Sequence, residues 1–371
     1  MIEQRVTQAL VDSGLDAIIA ASRENVLYLS GVRNMSHDLI PSRHTFVVWP
    51  REGDPTYVVI ASEEKTAQLE SRIKDIRTYK EFFVSPEDLL VGVLREKELE
   101  GKRLGLEWRG STAEIYHQVT RQLRNTKVEP CDDLLDEIRM IKSEEEMRIL
   151  TQATCATERA IRAAYASAKP GDTERDLANT MARALWEGGA DNVAWIVLGA
   201  GPNATIVHPK PSSYEIKTGD IVRVDLGAWF SGYLSDLGRT AVVGRPTQRQ
   251  RDYYDKLRRA EDAIVAAVKP GRPVKDLYRS CVETLSSGEP KINLPSFPHI
   301  GHGIGVGLHE YPLITATCEE LLRPGMVMCV EPAFMDADGL MYHIEETILV
   351  TETGCEVLTY RDPWRQLFVI Q

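Results

Sequence analysis

Two stretches of this chain repeat each other at nearly the same distance, and that repeat constrains the fold more than any other feature. Ala168-Lys169-Pro170-Gly171-Asp172-Thr173-Glu174-Arg175-Asp176-Leu177 matches Val268-Lys269-Pro270-Gly271-Arg272-Pro273-Val274-Lys275-Asp276-Leu277 at an offset of 100 residues. At an offset of 106, Lys217-Thr218-Gly219-Asp220-Ile221-Val222-Arg223-Val224-Asp225 matches Arg323-Pro324-Gly325-Met326-Val327-Met328-Cys329-Val330-Glu331. Lys-Pro-Gly is a common helix stop, so either match alone could be chance. The shared offset implies an internal duplication: helix, Lys-Pro-Gly turn, helix, then a strand hairpin bearing two acids. Two such halves would set four carboxylates around a pseudo-twofold axis.

In each copy a turn glycine lies six residues before an acid that ends an apolar run. A further acid follows 11 residues later in the first copy (Asp236) and 14 later in the second (Glu345). Between the two acid-bearing segments lies Gly301-His302-Gly303-Ile304-Gly305. Carboxylates on buried strands are costly unless something neutralises them, and a divalent metal is the usual answer. Asp225, Asp236, His302, Glu331 and Glu345 are therefore the candidate ligands. Taken singly, each acid reads as a solvated strand end; the matched spacing and apolar flanks decide for the set. Hard oxygen donors with one imidazole suit Mn²⁺, Co²⁺, Fe²⁺ or Zn²⁺ better than Ca²⁺. Four carboxylates offset two divalent ions, which can together polarise a carbonyl. The pattern points to a two-metal hydrolase.

The 371 residues are enough for two domains, each with its own core. A formal charge of −11 argues against a nucleic-acid partner, which would call for a basic face. No apolar run is long enough to span a membrane, and the amino terminus lacks signal-peptide shape. Cys131, Cys155, Cys281, Cys318, Cys329 and Cys355 show no metal-ribbon spacing and read as reduced thiols. Cys329, on the strand leading to Glu331, has two readings, an approach to the metals or, in preference, a small core residue. The expectation is a cytoplasmic protein.

Residues 1 to about 130 alternate helix and strand, as in an α/β layer. The strands expected are Asp16–Ala20, Thr45–Trp49, Thr56–Ile60 and Arg103–Glu107, with helices at Glu3–Val11, Ser62–Glu70 and Thr112–Gln122. The domains expected are 1–135 and 136–371. Ser143 with Glu146 predicts a capping box at the start of a long helix.

Gly219 to Thr240, Gly301-His302-Gly303-Ile304-Gly305 through His309-Glu310, Val330-Glu331-Pro332 and Ile344-Glu345-Glu346-Thr347 together resemble the pita-bread metallohydrolases. That group includes methionine aminopeptidase, aminopeptidase P, prolidase and creatinase. Asn25-Val26-Leu27-Tyr28-Leu29-Ser30-Gly31 is similar to part of the extra amino-terminal domain of the prolidase, aminopeptidase P and creatinase branch. The resemblance implies an α/β amino-terminal domain, an α+β pita-bread catalytic domain with the pseudo-twofold duplication, and a homodimer. It implies two divalent ions per chain, manganese foremost with cobalt, zinc or iron as alternatives. Asp225 would chelate one metal, Asp236 and Glu345 would bridge both, and His302 and Glu331 would bind the other. Glu331 would also steer a metal-bridging hydroxide. His208 falls on the family's substrate-side histidine, and His309 on the one that meets the scissile carbonyl and its developing oxyanion. In this branch the amino-terminal domain often borders the partner's active site, so the loop between His37 and His44 is a candidate substrate contact.

The activity implied is hydrolysis of the amide bond of Xaa-Pro peptides, as an Xaa-Pro dipeptidase or aminopeptidase. One departure leaves an alternative open. Prolidase-like sequences commonly carry an arginine two residues before the last glutamate ligand, where it engages the substrate carboxylate. Here that position is His343, which lacks the bidentate guanidinium fork. Pro332-Ala333-Phe334 also replaces the usual glycine after Glu-Pro. The alternative is a non-peptide C–N hydrolase, like ectoine hydrolase or creatinase, or a related lyase acting on a small zwitterion. A catalytically dead peptide-binding module would have lost ligands, and none is lost here.

Overall fold

Apolar runs bounded by turn residues form the first sheet. The computed structural model describes residues 2–40, 42–292 and 298–371, and the chain divides into two units, Met1–Arg139 and Met140–Gln371. The first unit holds β1 (Ala17–Ala20), β2 (Phe46–Pro50), β3 (Thr56–Ile60), β4 (Asp75–Tyr79), β5 (Arg103–Leu106) and β6 (Lys127–Pro130). They lie in the order β4-β3-β2-β1-β5-β6. β1, β2 and β3 are buried along their whole length, as strands covered on both faces should be. The alternation does not predict β4 and β6. Both are sheet edges whose exposed residues, such as Arg77 and Lys127, break the apolar pattern. The Asn25–Ser30 segment belongs to a helix, Arg23–Ser30, capped by Ser22 and closed by Gly31 in the left-handed conformation. Pro41, in the loop between His37 and His44, lies outside the described residues.

In the second unit the predicted capping box is present. Ser143 Oγ accepts from Glu146 N at 3.3 Å, and Glu146 Oε2 accepts from Ser143 N at 2.8 Å. The helix runs Glu144–Ser167, the Lys-Pro-Gly turn follows, and a second helix runs Glu174–Glu187. The other copy has helices Gln248–Ala267 and Lys275–Ser286 around its own Lys-Pro-Gly. The duplication extends to single hydrogen bonds. Gly171 N donates to Ile216 O, and Gly271 N to Leu322 O; Gly219 N donates to Val243 O, and Gly325 N to Val350 O. Gly219 and Gly325 have φ of 97° and 90°, the left-handed region in which a Cβ is strained. A Cβ on Gly219 would meet nothing within 4 Å, so Gly219→Ala isolates the backbone cost. The expected loss is about 1–2 kcal/mol, seen as a lower Tm in calorimetry.

The strands of this unit are β7 (Asn192–Ala200), β8 (Ile221–Phe230), β9 (Tyr233–Val243), β10 (His299–Gly303), β11 (Glu310–Thr315), β12 (Val327–Val330), β13 (Ala333–Met335), β14 (Met341–His343), β15 (Glu346–Val350), β16 (Cys355–Val357) and β17 (Phe368–Ile370). One sheet runs β17-β9-β8-β7 and another β11-β10-β12-β15-β16. Each copy packs a helix on its sheet. Ala153, Ala160 and Ala164 of Glu144–Ser167 share a core with Val222 and Val224, and small side chains there let helix and sheet approach closely. Leu257 and Ile264 of Gln248–Ala267 share the other core with Met326, Met328 and Ile348.

The hairpins differ where the repeat predicts likeness. Asp225 and Asp236 lie within β8 and β9, but Glu331 follows β12 and Glu345 precedes β15. The extra residues between the second pair of acids form the small hairpin β13–β14, entered at Pro332, which has no N–H to continue the ladder.

Candidate metal centre

Alternation along paired strands places the first two acids on one face. Asp225 is opposite Gly238 and Asp236 opposite Gly227, and opposed residues share a face. In the other sheet His302 is opposite Cys329. Three contacts then bring the two copies together. Glu345 N donates to Gly238 O at 3.0 Å. Thr240 Oγ1 donates to His343 O at 2.7 Å and accepts from His343 N at 3.0 Å. Gly238 is glycine because the His343 ring lies against it: a Cβ there would sit 2.3 Å from the imidazole. Beneath, the fully buried Arg239 donates to Glu346 Oε2 at 3.0 Å and to the carbonyl of Glu345, fixing the backbone that presents Glu345.

Donor atoms from Asp236, His302, Cys329 and Glu345 all lie within 4.8 Å of one another, as do those of Glu331, His343 and Glu345. His302 Nε2 is 3.6 Å from Asp236 Oδ2 and 3.7 Å from Glu331 Oε1. His343 Nε2 is 3.8 Å from Glu331 Oε2. Asp225 stands outside both groups but faces the same cavity, its Oδ1 accepting from Trp195 Nε1 at 2.6 Å.

The electrostatics are unfavourable without a cation. Burial, then the charges of neighbouring acids, push the carboxyls of Asp236 and Glu345 well above the usual range. Glu345 Oε1 is buried with no hydrogen-bond partner among the described residues. Burial also raises Glu331, but the imidazoles of His299, His302 and His343 outweigh it and bring its carboxyl below the usual value. His302 is held down to about 4 by burial, so its ring is neutral. Its Nδ1 is 3.0 Å from Gly303 O, the arrangement that assigns the proton to Nδ1 and leaves the Nε2 lone pair toward the acids. A divalent cation fits this set: it would occupy the orphaned oxygen and that lone pair, and remove the repulsion.

The cluster forms the wall of a cavity of about 340 Å³ that His208, His309, His343, Asp225, Asp236, His302 and Glu331 all line. The His309 ring lies over His302, with centroids 4.1 Å apart. All eight residues singled out from the sequence therefore converge on one place, Glu345 through its contacts with the others. Cys329 is a fully buried core residue, as read, and its thiol also lies among the cluster's donor atoms, donating to the carbonyl of Asp236 at 3.9 Å. Three further residues were not foreseen. Arg223 and Trp195 line the cavity, and His299 Nδ1 is 3.3 Å from Glu331 Oε1. Arg223 was findable, since residues two apart on a strand share a face and it precedes Asp225 by two. His299 was not. Regular alternation would turn it away from His302, and a register shift in β10 turns it back.

Residues 148–352 match metallopeptidase family M24, and residues 3–141 match the creatinase/prolidase N-terminal domain. The chain belongs to metallopeptidase family M24, with the hydrolase class and metal dependence that membership carries. It is 30% identical over 365 residues to a Xaa-Pro dipeptidase of Pyrococcus horikoshii, spanning 96% of each chain. With a Xaa-Pro dipeptidase of Pyrococcus furiosus the figure is 29% over 362 residues, 96% of this chain and 97% of the other. The solved prolidase of Pyrococcus horikoshii superposes with a TM-score of 0.83 at 28% identity, covering 97% of this chain and 99% of that one. The X-Pro aminopeptidase of Thermotoga maritima shares the fold, with a TM-score of 0.86 at 23% identity and 99% coverage of both. The pita-bread architecture implied by the sequence resemblance is the one observed.

Proposed function

We propose that this chain hydrolyses the amide bond of Xaa-Pro peptides with two divalent ions, manganese foremost, held by Asp225, Asp236, His302, Glu331 and Glu345. The observation that carries this reading is the buried, mutually repelling acid cluster in the wall of a cavity that also presents His208 and His309. When bound, the ions supply charge neutralisation and Lewis acidity toward the scissile carbonyl. The protein's own groups supply the rest. His309, over His302, places a ring N–H where charge develops on the carbonyl oxygen. Glu331, whose carboxyl the His299 contact at 3.3 Å helps to hold below the usual value, accepts the proton of the attacking water. His208 borders the cavity on the substrate side. The homodimer and the cytoplasmic setting implied by the resemblance belong to this proposal; light scattering tests the first.

The names of the dipeptidase relatives support the substrate class. His343, where the resemblance has arginine, is the observation that favours the second reading, C–N hydrolysis of a small zwitterion. One panel separates the two. Enzyme loaded with Mn²⁺ or Co²⁺ is offered Xaa-Pro dipeptides, longer Xaa-Pro peptides, ectoine and creatine. Cleavage of the peptides is expected, with about two metal ions bound per chain by elemental analysis. Full turnover by metal-free protein, or consumption of the zwitterions alone, would sink the first reading.

A further inference from the structure

Among the described residues lining the cavity, Arg223 alone carries a permanent positive charge. It is 1% exposed, and its Nε has no hydrogen-bond partner in the described structure. Its Nη2 donates to the carbonyl of Ile206 at 3.3 Å and to that of Val207, neutral acceptors that leave the charge unbalanced. Arg223 is two residues before Asp225 on β8, which places the two about 6.6 Å apart on one face. It is opposite Thr240, the residue that holds His343 by both backbone groups. The missing arginine of position 343 thus has a cation on the neighbouring strand, beside the same stretch of cavity wall.

We infer that Arg223 binds the free α-carboxylate of a short substrate. This rests on the Xaa-Pro reading. In a dipeptide that carboxylate is separated from the scissile carbonyl only by the proline nitrogen and α-carbon, so both groups fall within the one cavity that Arg223 and Asp225 line. The occupant would supply the missing anion, and Arg223 would set a preference for dipeptides over substrates whose carboxylate is blocked. A charge-assisted contact of this kind is worth about tenfold to a hundredfold in affinity.

The test uses metal-loaded enzyme and two probes, L-proline and L-prolinamide, measured by calorimetry. Wild type is expected to bind proline at least about tenfold more tightly, and Arg223→Met to erase that difference. Arg223→Lys keeps the charge without the fork and should retain part of it. A wild type that does not discriminate, or a preference that survives Arg223→Met, overturns the assignment. Should Arg223→Met not fold, Arg223→Lys decides: an undiminished preference overturns the role of the fork. In hydrolysis, the ratio of kcat/KM for an Xaa-Pro dipeptide over its amide should fall at least about tenfold in Arg223→Met. Parallel loss on both substrates would mean that Arg223 only props the Ile206–Val207 loop. A wild type that cleaves no Xaa-Pro peptide rejects the functional reading, and the proline and prolinamide pair still judges Arg223.

Discussion

Asp236→Ala should lower turnover of Xaa-Pro peptides by about 10³-fold or more while the chain still folds. Asp236 lies within 4.8 Å of donor atoms from both His302 and Glu345, so its loss opens the cluster at its centre. Retained turnover would remove it from the metal set. The effect on stability should run the other way. Burial first, then the charges of Glu345, Asp225 and Glu331, hold its carboxyl above the usual range. The folded state therefore keeps a proton that the unfolded chain releases. Between the ordinary carboxylate range and that raised value, stability falls as pH rises. Asp236→Asn removes the penalty. In chelated protein, the asparagine variant should melt above wild type at about pH 8, with the gap narrowing toward about pH 3, where the carboxyl is protonated in both states. Saturating metal should reverse the order, because the cation stabilises only the intact site. Calorimetry on the two proteins, chelated at both pH values and again with saturating metal, reads all of this. A chelated wild type that melts above the variant at the higher pH would contradict the repulsion.

His309→Ala should reduce kcat by about 10²–10³-fold with little change in KM. The ring lies 4.1 Å from that of His302, tilted by 33°, and lines the cavity without belonging to either group of clustered donors. Metal content should therefore stay at the wild-type level. A donor that meets charge only as it develops affects the chemical step, whereas a pure rise in KM would assign His309 to ground-state binding.

Much of this site is legible in the sequence because it is written twice. Lys-Pro-Gly punctuation, the turn glycines and the acids recur at matched offsets, and the two copies fold alike down to the amides of Gly171 and Gly271. Ser143 with Glu146 marks a helix start by local chemistry alone. What escapes depends on distant register. His299 reaches Glu331 through an irregularity in β10, and Trp195 reaches Asp225 from the neighbouring strand β7. The small hairpin β13–β14 breaks the symmetry that the repeat suggests. Its only trace in the sequence is the longer spacing between Glu331 and Glu345. Arg223 lay within reach, hidden by the habit of reading an apolar run as core. β4 and β6 escaped because edge strands need no apolar alternation.

The contacts that join the two copies, Thr240 to His343 and Arg239 to Glu345 and Glu346, close loops of 103 to 107 residues. They give the site a position in time. A nascent chain that has emerged only through β9 displays Asp225 and Asp236 as an open pair of acids, with the imidazole and both glutamates still unsynthesised. Such a pair would hold a divalent ion only weakly. With the ligand set proposed above, tight capture would wait for the closing segments of the second copy, so the ion would act as a seal on finished molecules. On the same ordering, metal retention would report on chain completeness without any assay of turnover.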